Sequence, residues 1–282
     1  MARTEDGARL DTPLVELREA DIAGAVALSE EAGWNQVAAD WAMMIRLGRA
    51  FAVPDADGRP VATGLALPYP PDFGWISMVL VHIPFRRRGL GTRILDRCIA
   101  ELRDRGLVPF LDATPDGRPL YERLGFQPVE GLTRWLGEGI GARHEGAGAW
   151  HRDMASVELD RAAFGADRSA VLDDVAGRAG ALRLGEPAGE GFLLTRNGRT
   201  ATHIGPIVAR RPALAAELLE TALGELAGPV LIDVPDRELE LAALLGARGF
   251  TRQRVLTRMA LGRSTSFGTP TLVRALAGPE LG

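Results

Sequence analysis

The sequence predicts an α/β (α+β) fold in which one arrangement of mixed, mainly antiparallel strands with flanking helices occurs twice. Three observations support this prediction. Short apolar runs typical of strands are interspersed with stretches of helical periodicity along the 282 residues. A candidate N-cap Asp and a terminating Gly enclose residues 21–33, and the same twelve-residue spacing encloses residues 153–165. A Gly-Phe pair precedes a strand-like segment at residues 125–126 and again at residues 249–250.

Local signals delimit each element in order along the chain. Candidate caps and terminating glycines bound the helices, whereas apolar runs between turn residues mark the strands. In the first half they predict strands near 14–18, 50–54, 60–68, 74–81, 109–113 and 126–136, and helices near 21–32, 38–47, 90–105 and 118–124. In the second half they predict helices near 153–163, 168–177, 212–226 and 236–247, and strands near 180–184, 191–195, 199–208, 230–233 and 252–261.

The domain boundaries are expected in the Gly-rich stretch GEGIGARHEGAGA at residues 137–149. We therefore predict one domain over residues 1–137, a linker over 138–148 and a second domain over 149–282. The interval from the capping Asp to the Gly-Phe glycine is 104 residues in the first copy and 96 in the second, which indicates shorter loops in the second copy. This pattern is typical of a tandem duplication of one fold.

The composition excludes several classes of function. A net charge of −4, with 46% hydrophobic and 25% charged residues, implies no general affinity for nucleic acid or anionic membranes. The N-terminal residues lack the apolar core of a signal peptide, and no apolar stretch reaches the roughly 20 residues of a membrane span. The single cysteine, Cys98, excludes an internal disulfide, and no histidine has ligand-like spacing. We therefore expect a cytoplasmic protein without a bound metal.

Residues 79–92, VLVHIPFRRRGLGT, carry the strongest functional signal. An apolar run ends, a basic turn that contains glycine follows, and a helical pattern begins. The first N–H groups of a helix lack intrahelical partners and the helix dipole adds positive charge, so such a turn can bind an anion. Glycines allow close backbone approach, and arginines supply donors that suit phosphate. We therefore predict a pyrophosphate site formed by Arg86, Arg87, Arg88, Gly89, Leu90, Gly91 and Thr92.

This turn resembles R/Q-x-x-G-x-G, the acyl-coenzyme A loop of the GNAT superfamily of N-acetyltransferases. A second segment, LYERLGF at residues 120–126, resembles the GNAT segment that carries a catalytic Tyr, and Tyr121 matches that Tyr. Thr114 stands where the family often has Asn, and either side chain can hydrogen-bond the pantetheine arm. The segments RTATHIGPIVA and DRAAFGADR and the terminal AGPELG extend the resemblance to two-domain GNAT proteins of the YitH type. It implies a tandem GNAT fold with an active first lobe.

The resemblance implies an N-acetyltransferase that moves an acetyl group from acetyl-CoA to the primary amine of a small molecule. In GNAT proteins a splayed strand offers backbone N–H groups to the acetyl carbonyl and to pantetheine. That role falls on Val79, Leu80 and Val81. The Arg87–Thr92 loop would hold the pyrophosphate, and Tyr121 would act as the general acid that protonates the leaving thiolate.

The acceptor site is expected in the segment after the first helix, which lines the acceptor pocket of GNAT folds. There Trp34 and Asn35 could contact an organic amine, with Asp112 as a further substrate contact. The general base has no motif, and Asp112, Asp40, Glu30 and His82 all remain candidates. Further alternatives stay open: Trp34 and Trp41 could close the core, and Tyr121 could be a half-buried core aromatic.

The second copy lacks the chemistry of the first. Its corresponding segment, HIGPIVARRPALAAELL, keeps Arg210 and Arg211 but has no glycine in the turn, and Leu245 stands in the place of Tyr121. We therefore expect a degenerate lobe that walls the acceptor cleft, supports the first sheet or forms homodimer contacts. The alternative interpretation of the whole chain is a non-catalytic acyl-CoA-binding sensor or scaffold module.

Overall fold

A computed structural model describes residues 12–141, 154–186 and 188–282. The chain forms two compact units, Met1–Pro109 and Phe110–Gly282, here called unit 1 and unit 2. None of the helices in the described ranges is both long and apolar enough to cross a bilayer. Most of the stretch predicted as a linker, residues 142–148, lies outside the described residues.

In its described residues, unit 1 contains β1 (Val15–Glu16), α1 (Ile22–Glu31), α2 (Ala38–Leu47), β2 (Arg49–Pro54), β3 (Pro60–Tyr69), β4 (Phe73–Val81) and α3 (Leu90–Arg103). The four strands form an antiparallel sheet in the order β1-β2-β3-β4. Helix α3 packs closely because Gly64 on β3 has no side chain: a Cβ there would overlap Ile94 and lie 3.1 Å from the sulfur of Cys98. Cys98 is fully buried, because it lies on the apolar face of this helix with Ile94 and Leu95.

The described elements of unit 2 are β5 (Val108–Ala113), α4 (Arg118–Arg123), β6 (Phe126–Ile140), α5 (Met154–Phe164), α6 (Ser169–Gly177), β7 (Arg183–Gly185), β8 (Gly191–Arg196), β9 (Thr202–Ala209), α7 (Pro212–Glu225), β10 (Ala227–Pro235), α8 (Leu239–Ala247), β11 (Thr251–Leu261) and β12 (Val273–Ala275). Its strands follow the order β5-β11-β6-β10-β9-β8-β7, and β12 pairs with β9. Of its strand pairs in the described residues, β9 and β10 are parallel and the others antiparallel.

Long strands from the two sequence copies alternate in unit 2. Strand β6 of the first copy pairs with β10 and with β11 of the second copy, and β11 pairs in turn with β5 of the first. The boundary between the compact units therefore falls between residues 109 and 110, whereas the repeat in the sequence places its boundary after β6. The mixed, mainly antiparallel architecture with flanking helices is confirmed.

Three local features differ from the sequence prediction. Strand β6 continues to Ile140, three residues into the predicted linker, because Ile140 pairs with Ala227 of β10. The first strand, predicted near residues 14–18, comprises only Val15–Glu16, and these two residues pair with β2. Strand β12 and the buried residues after it were not predicted, because their Gly- and Pro-rich sequence has no strand periodicity.

Unit 2 buries a row of charged side chains. Asp233 on β10 accepts hydrogen bonds at 2.8 Å from Nε and from a terminal nitrogen of Arg134 on β6. Its Oδ2 also lies 3.0 Å from Nε2 of His203 on β9. These side chains are at most 8% exposed. Burial lowers the pKa of His203 and outweighs the opposing effect of Asp233, with Arg196 and Arg134 adding to the lowering.

Acidification should therefore destabilise the protein through His203. The folded-state pKa lies below the unfolded value of about 6.5, so the unfolded chain takes up a proton that the folded chain does not. The resulting stability is present above that unfolded value and is lost as the pH falls, by up to about 1.4 kcal/mol per pH unit. Urea unfolding at pH 7.5 and 5.0 should show this slope, and His203→Gln should reduce it; an unchanged slope in the variant would assign the effect elsewhere.

Candidate active site

A β-bulge in β4 lies just before the predicted backbone donors. Thr63 pairs with Leu80, but Leu65 pairs with Ser77, so Met78 and Val79 together face Gly64 on β3. Met78 has a φ of 53°, and its carbonyl accepts the hydroxyl of Thr63 at 2.9 Å. A bulge redirects the local backbone, and such features are frequent next to active sites. The sequence does not predict this bulge, because the residue with positive φ, Met78, is not glycine.

The predicted donors lie immediately after the bulge. Leu80 is buried, whereas Val79 and Val81 are partly exposed. Leu80 and Val81 keep their pairing register with Thr63 and Ala62 of β3. The strand then ends, and a short 3-10 helix, Ile83–Phe85, leads into the arginine turn.

His82, one candidate for the base, is tied to the first helix. Its Nδ1 lies 2.7 Å from Oε1 of Glu31, and the other carboxylate oxygen accepts the amide of Ile83 at 3.2 Å. The imidazole ring also stacks on Phe85, with 5.7 Å between centroids. These contacts brace the end of β4 against α1, a positioning role for Glu31 that sequence reasoning missed.

Two of the three exposed arginines stabilise the turn itself. Nε of Arg86 donates to the carbonyl of Val81 at 3.0 Å, and a terminal nitrogen of Arg88 donates to the carbonyl of Pro84 at 2.9 Å. The guanidinium of Arg88 also lies over the Phe85 ring, 5.1 Å from its centroid. A guanidinium has five N–H donors, so each of these groups retains donors for an anion.

The helix N-terminus after this turn has the geometry of an anion cradle. Arg87 and Gly89 have left-handed φ values of 61° and 77°, and Gly89 is the N-cap of α3 without any side-chain cap. The amides of residues 90–92 precede the first intrahelical bond, which the amide of Arg93 donates to the Gly89 carbonyl at 3.1 Å. Leu90 is buried and anchors this first turn.

The space around Gly91 would accommodate a larger side chain. Within the described residues, a Cβ at this position would meet only the Val81 side chain, at an ordinary contact distance of 3.5 Å. Its φ is not positive, so its conformation does not require glycine either. Alanine would favour the helix more than glycine does. Neither packing nor conformation therefore explains a glycine here.

The segment between α1 and α2, predicted to line the acceptor site, contains two buried polar side chains and a half-buried tryptophan. Asn35 and Gln36 are each 5% exposed, and Trp34 is half-buried. Oε1 of Gln36 is buried and has no hydrogen-bond partner among the described residues. Sequence reasoning missed Gln36, since a lone glutamine carries no recognisable pattern.

Two neighbouring candidates have structural roles. Trp41 is fully buried and donates its indole N–H to the Ser29 hydroxyl at 3.0 Å, so it closes the core of unit 1. Asp40 is 1% exposed and accepts the amide of Val37 at 2.9 Å, so it caps α2.

Thr114 precedes α4 and Tyr121 lies within it, and both side chains lie near Gly117 in unit 2. The Thr114 hydroxyl accepts the amide of Gly117 at 3.2 Å, which leaves its own proton available for another acceptor. The Tyr121 ring packs edge-on against Phe126, with 5.9 Å between centroids. A Cβ on Gly117 would approach this ring to 3.0 Å, so glycine accommodates the tyrosine.

Asp112, predicted as a substrate contact, is paired with Arg258 instead. The carboxylate accepts Nε and a terminal nitrogen of Arg258 at 2.9 and 3.0 Å, and its side chain is 0% exposed. The two residues face each other across strands β5 and β11. Burial raises the pKa of Asp112, and Arg258 opposes that shift. A fully buried carboxylate with both oxygens engaged does not support the predicted substrate contact.

The corresponding turn of the second copy has a different geometry. Arg211 is the N-cap of α7 in an extended conformation, and Pro212 occupies the first turn. No residue from Ala209 to Pro212, all of them described, has a positive φ. Leu245, at the place of Tyr121, is fully buried in the apolar core of this copy.

Family comparisons match both copies. The acetyltransferase (GNAT) family profile matches residues 14–126, and an acetyltransferase (GNAT) domain profile matches residues 156–269. The chain belongs to the GNAT acetyltransferases. Among curated proteins, this GNAT chain is 30% identical over 127 residues to YitH of Bacillus subtilis, described as an uncharacterized N-acetyltransferase. That match covers 43% of this chain and 43% of YitH, so it spans less than half of the relative's own length.

Solved structures extend the similarity to both halves of this GNAT chain. A candidate acetyltransferase from Pyrococcus horikoshii superposes with a TM-score of 0.82 at 22% identity and covers 100% of both chains. A tandem GNAT protein from the clavulanic acid biosynthesis pathway gives a TM-score of 0.60 at 14% identity, covering 88% of this chain and 97% of its own. At these identities the similarity establishes the tandem GNAT fold.

Proposed function

We propose that this protein transfers an acetyl group from acetyl-CoA to the primary amine of a small molecule, with the first copy as the active one. The observation that carries the proposal is the start of α3. There, three exposed arginines at residues 86–88 precede a helix N-terminus that has no side-chain cap. The backbone of Arg87 and of Gly89 is left-handed. The Arg87–Thr92 loop would hold the pyrophosphate of CoA through its backbone amides and guanidinium groups.

The β4 bulge supports a second part of the proposal. Amides of Val79, Leu80 and Val81 would hydrogen-bond the pantetheine arm and the acetyl carbonyl, which stabilises negative charge that develops on that oxygen. The Thr63 hydroxyl holds the Met78 carbonyl in place at 2.9 Å and so keeps the redirected backbone rigid. Acetyl-CoA supplies the thioester, and the protein supplies the aligned donors.

Tyr121 is the proposed general acid. Its hydroxyl would give a proton to the sulfur of the departing thiolate, and the Thr114 hydroxyl would donate to the pantetheine arm. The edge contact with Phe126 limits the orientations of the Tyr121 ring. The amine acceptor is proposed to lie near Trp34 and Asn35, where the buried Oε1 of Gln36 is suited to accept an amine N–H.

The domain assignment is part of the proposal. Residues 1–137 would carry catalysis, and residues 149–282 would form a copy without a cofactor site. The extended Arg211 and the buried Leu245 support the loss of function in the second copy.

Gly91→Ala should weaken acetyl-CoA binding without harming the fold. The added methyl has space within the protein but would project from the helix turn whose amides face the phosphates. We expect the Kd for acetyl-CoA to rise by roughly tenfold or more, equivalent to about 1.4 kcal/mol, and the Tm to stay constant or rise. Calorimetric titration and thermal unfolding measure the two effects.

The matched control for Gly91→Ala is Gly246→Ala. Gly246 also lies in a helix, and no atom of the described residues stands within 4 Å of the place that a Cβ would take. This variant should gain stability and keep the wild-type Kd. Unchanged acetyl-CoA affinity in Gly91→Ala would contradict the cradle.

Arg87→Glu should weaken binding through charge. Arg87 is exposed, and the side-chain hydrogen bonds that brace the turn come from its two arginine neighbours. A carboxylate at this place opposes phosphate, so we expect roughly a tenfold or larger rise in Kd. Binding should also lose part of its dependence on salt concentration. Arg123→Glu, at another exposed arginine, is the control; equal effects of the two changes would indicate a general charge effect.

A further inference from the structure

Strands β9 and β10 of the second copy separate after a short parallel pairing. They pair at Thr202–Ile204 and Val230–Ile232. Beyond that point β9 pairs with β12, at Ile207 and Val208. On the other side, the amide of Leu276 donates to the carbonyl of Asp233 on β10 at 2.9 Å. The segment 273–276 therefore lies between the diverging strands and hydrogen-bonds both.

The internal repeat relates this cleft to the proposed cofactor path of the first copy. Strand β9, the turn at residues 209–211 and helix α7 follow one another as β4, the arginine turn and α3 do. In the first copy the strand end and the turn are proposed to face pantetheine and pyrophosphate. In the second copy the equivalent strand end and turn both contact the segment 273–276.

Arg274 places a cation against the turn of the second copy, where the first copy is proposed to bind an anion. Its Nε donates to the Ala209 carbonyl at 3.1 Å and a terminal nitrogen donates to the Arg210 carbonyl at 3.2 Å. Its other terminal nitrogen binds both carboxylate oxygens of Glu238 at 3.1 and 3.2 Å. This turn therefore presents carbonyl groups to a cation, whereas the arginine turn of the first copy presents N–H donors suited to an anion.

The contact is closely packed and buried. Residues 273–278 are all buried, and Glu280 forms a buried ion pair with Arg196 of β8. Gly205 of β9 allows the backbone contact, because a Cβ there would overlap the carbonyl oxygen of Leu276. A bound acyl-CoA arm could not share this space with the segment.

We propose that segment 273–276 is an internal ligand that closes the cofactor cleft of the second copy, so that each chain holds at most one acetyl-CoA. The contacts of this segment with β9, β10 and the turn support the occupied cleft. The expectation that each chain binds one acetyl-CoA rests on the function proposed for the first copy.

Thiol labelling in the full-length chain tests the closed cleft. The native Cys98 is fully buried and burial raises the pKa of its thiol, so its background reactivity should be low. Ala275→Cys places a thiol in the segment, and Leu239→Cys, at a residue that is 74% exposed, is the matched control. We expect Ala275→Cys to react roughly 100-fold or more slowly than the control, with or without saturating acetyl-CoA.

Each outcome decides the inference. Adding Arg274→Ala should speed labelling of Ala275→Cys by about tenfold through loss of its hydrogen bonds. Acceleration of labelling by acetyl-CoA, or binding of two acetyl-CoA molecules per chain, would overturn the closed cleft. Because the cysteine could itself open the cleft, hydrogen exchange of residues 273–276 in the unmodified protein serves as a second measurement. Slow exchange with and without acetyl-CoA supports the proposal, and fast exchange refutes it.

Calorimetry separates this inference from the proposed function. A protein that binds no acetyl-CoA while residues 273–276 stay protected would refute the proposed role of the first copy and leave the closed second cleft intact.

Discussion

Tyr121→Phe should lower kcat by about 10²–10⁴-fold, the usual contribution of a general acid or base. The phenol would otherwise protonate the departing thiolate, and phenylalanine has no proton to give. Acetyl-CoA affinity should stay close to the wild-type value, because the proposed cradle lies on a different element. The measurement is steady-state thiol release with a panel of primary amines, together with calorimetric titration of acetyl-CoA.

The substitution retains the described contacts of the Tyr121 ring. The edge contact with Phe126 at 5.9 Å and the contact with Gly117 involve the ring and not the hydroxyl, so phenylalanine can keep both. The chain contains only two tyrosines, which makes Tyr69→Phe the matched control. Tyr69 is buried beside Phe73 in unit 1, and its substitution should leave kcat unchanged.

The result also separates an enzyme from an acyl-CoA sensor. A binding protein without catalysis would bind acetyl-CoA, release no thiol with any amine, and be unaffected by Tyr121→Phe. Wild-type turnover retained in Tyr121→Phe would contradict the role of Tyr121 as the acid.

Arg258→Ala should destabilise the fold by about 3–5 kcal/mol at pH 7, the usual result of leaving one member of a buried ion pair alone. Asp112 would then keep a buried charge without its two hydrogen bonds, or take up a proton. Both oxygens of Asp112 are bound by Arg258, and the carboxylate has no exposure to water. Urea unfolding at constant temperature measures the loss.

The pH dependence and a double variant check the cause. Burial already raises the pKa of Asp112, and removal of Arg258 should raise it further. A raised folded-state pKa gives stability that is present at low pH and lost as the pH rises, so the destabilisation should shrink between pH 7 and pH 4. Asp112→Leu combined with Arg258→Met should cost less than Arg258→Ala, since apolar replacement of both partners is often near neutral. Equal losses at both pH values would contradict this explanation.

Much of the fold and part of the candidate site could be predicted from the sequence. Helices such as α3 and strands such as β3 follow from apolar periodicity, which local sequence determines directly. The arginine turn was predictable because its arginines and glycines stand within a few adjacent residues, and its proposed role as a phosphate cradle remains a prediction. Tyr121 and Thr114 were found by resemblance to a family motif, and their catalytic roles remain predictions.

Side-chain partners that lie far apart in the chain could not be predicted from the sequence. Asp112 resembles a substrate contact in sequence, but its partner Arg258 lies 146 residues away. The sequence left open whether Trp41 closes the core; its full burial and its hydrogen bond to Ser29 place it there. The Met78 bulge arises from the pairing of β4 with β3, which sequence periodicity does not encode.

The sequence by itself determined the order of the elements, their duplication and the glycine-containing arginine turn of the first copy, because each depends on neighbouring residues. Only the tertiary structure decided the exchange of β6 and β11 between the copies, the burial of Asp112 and the entry of residues 273–276 into the cleft of the second copy. These features depend on pairings between residues far apart in the chain. Their energies come from burial and hydrogen bonding that exist only after the strands meet.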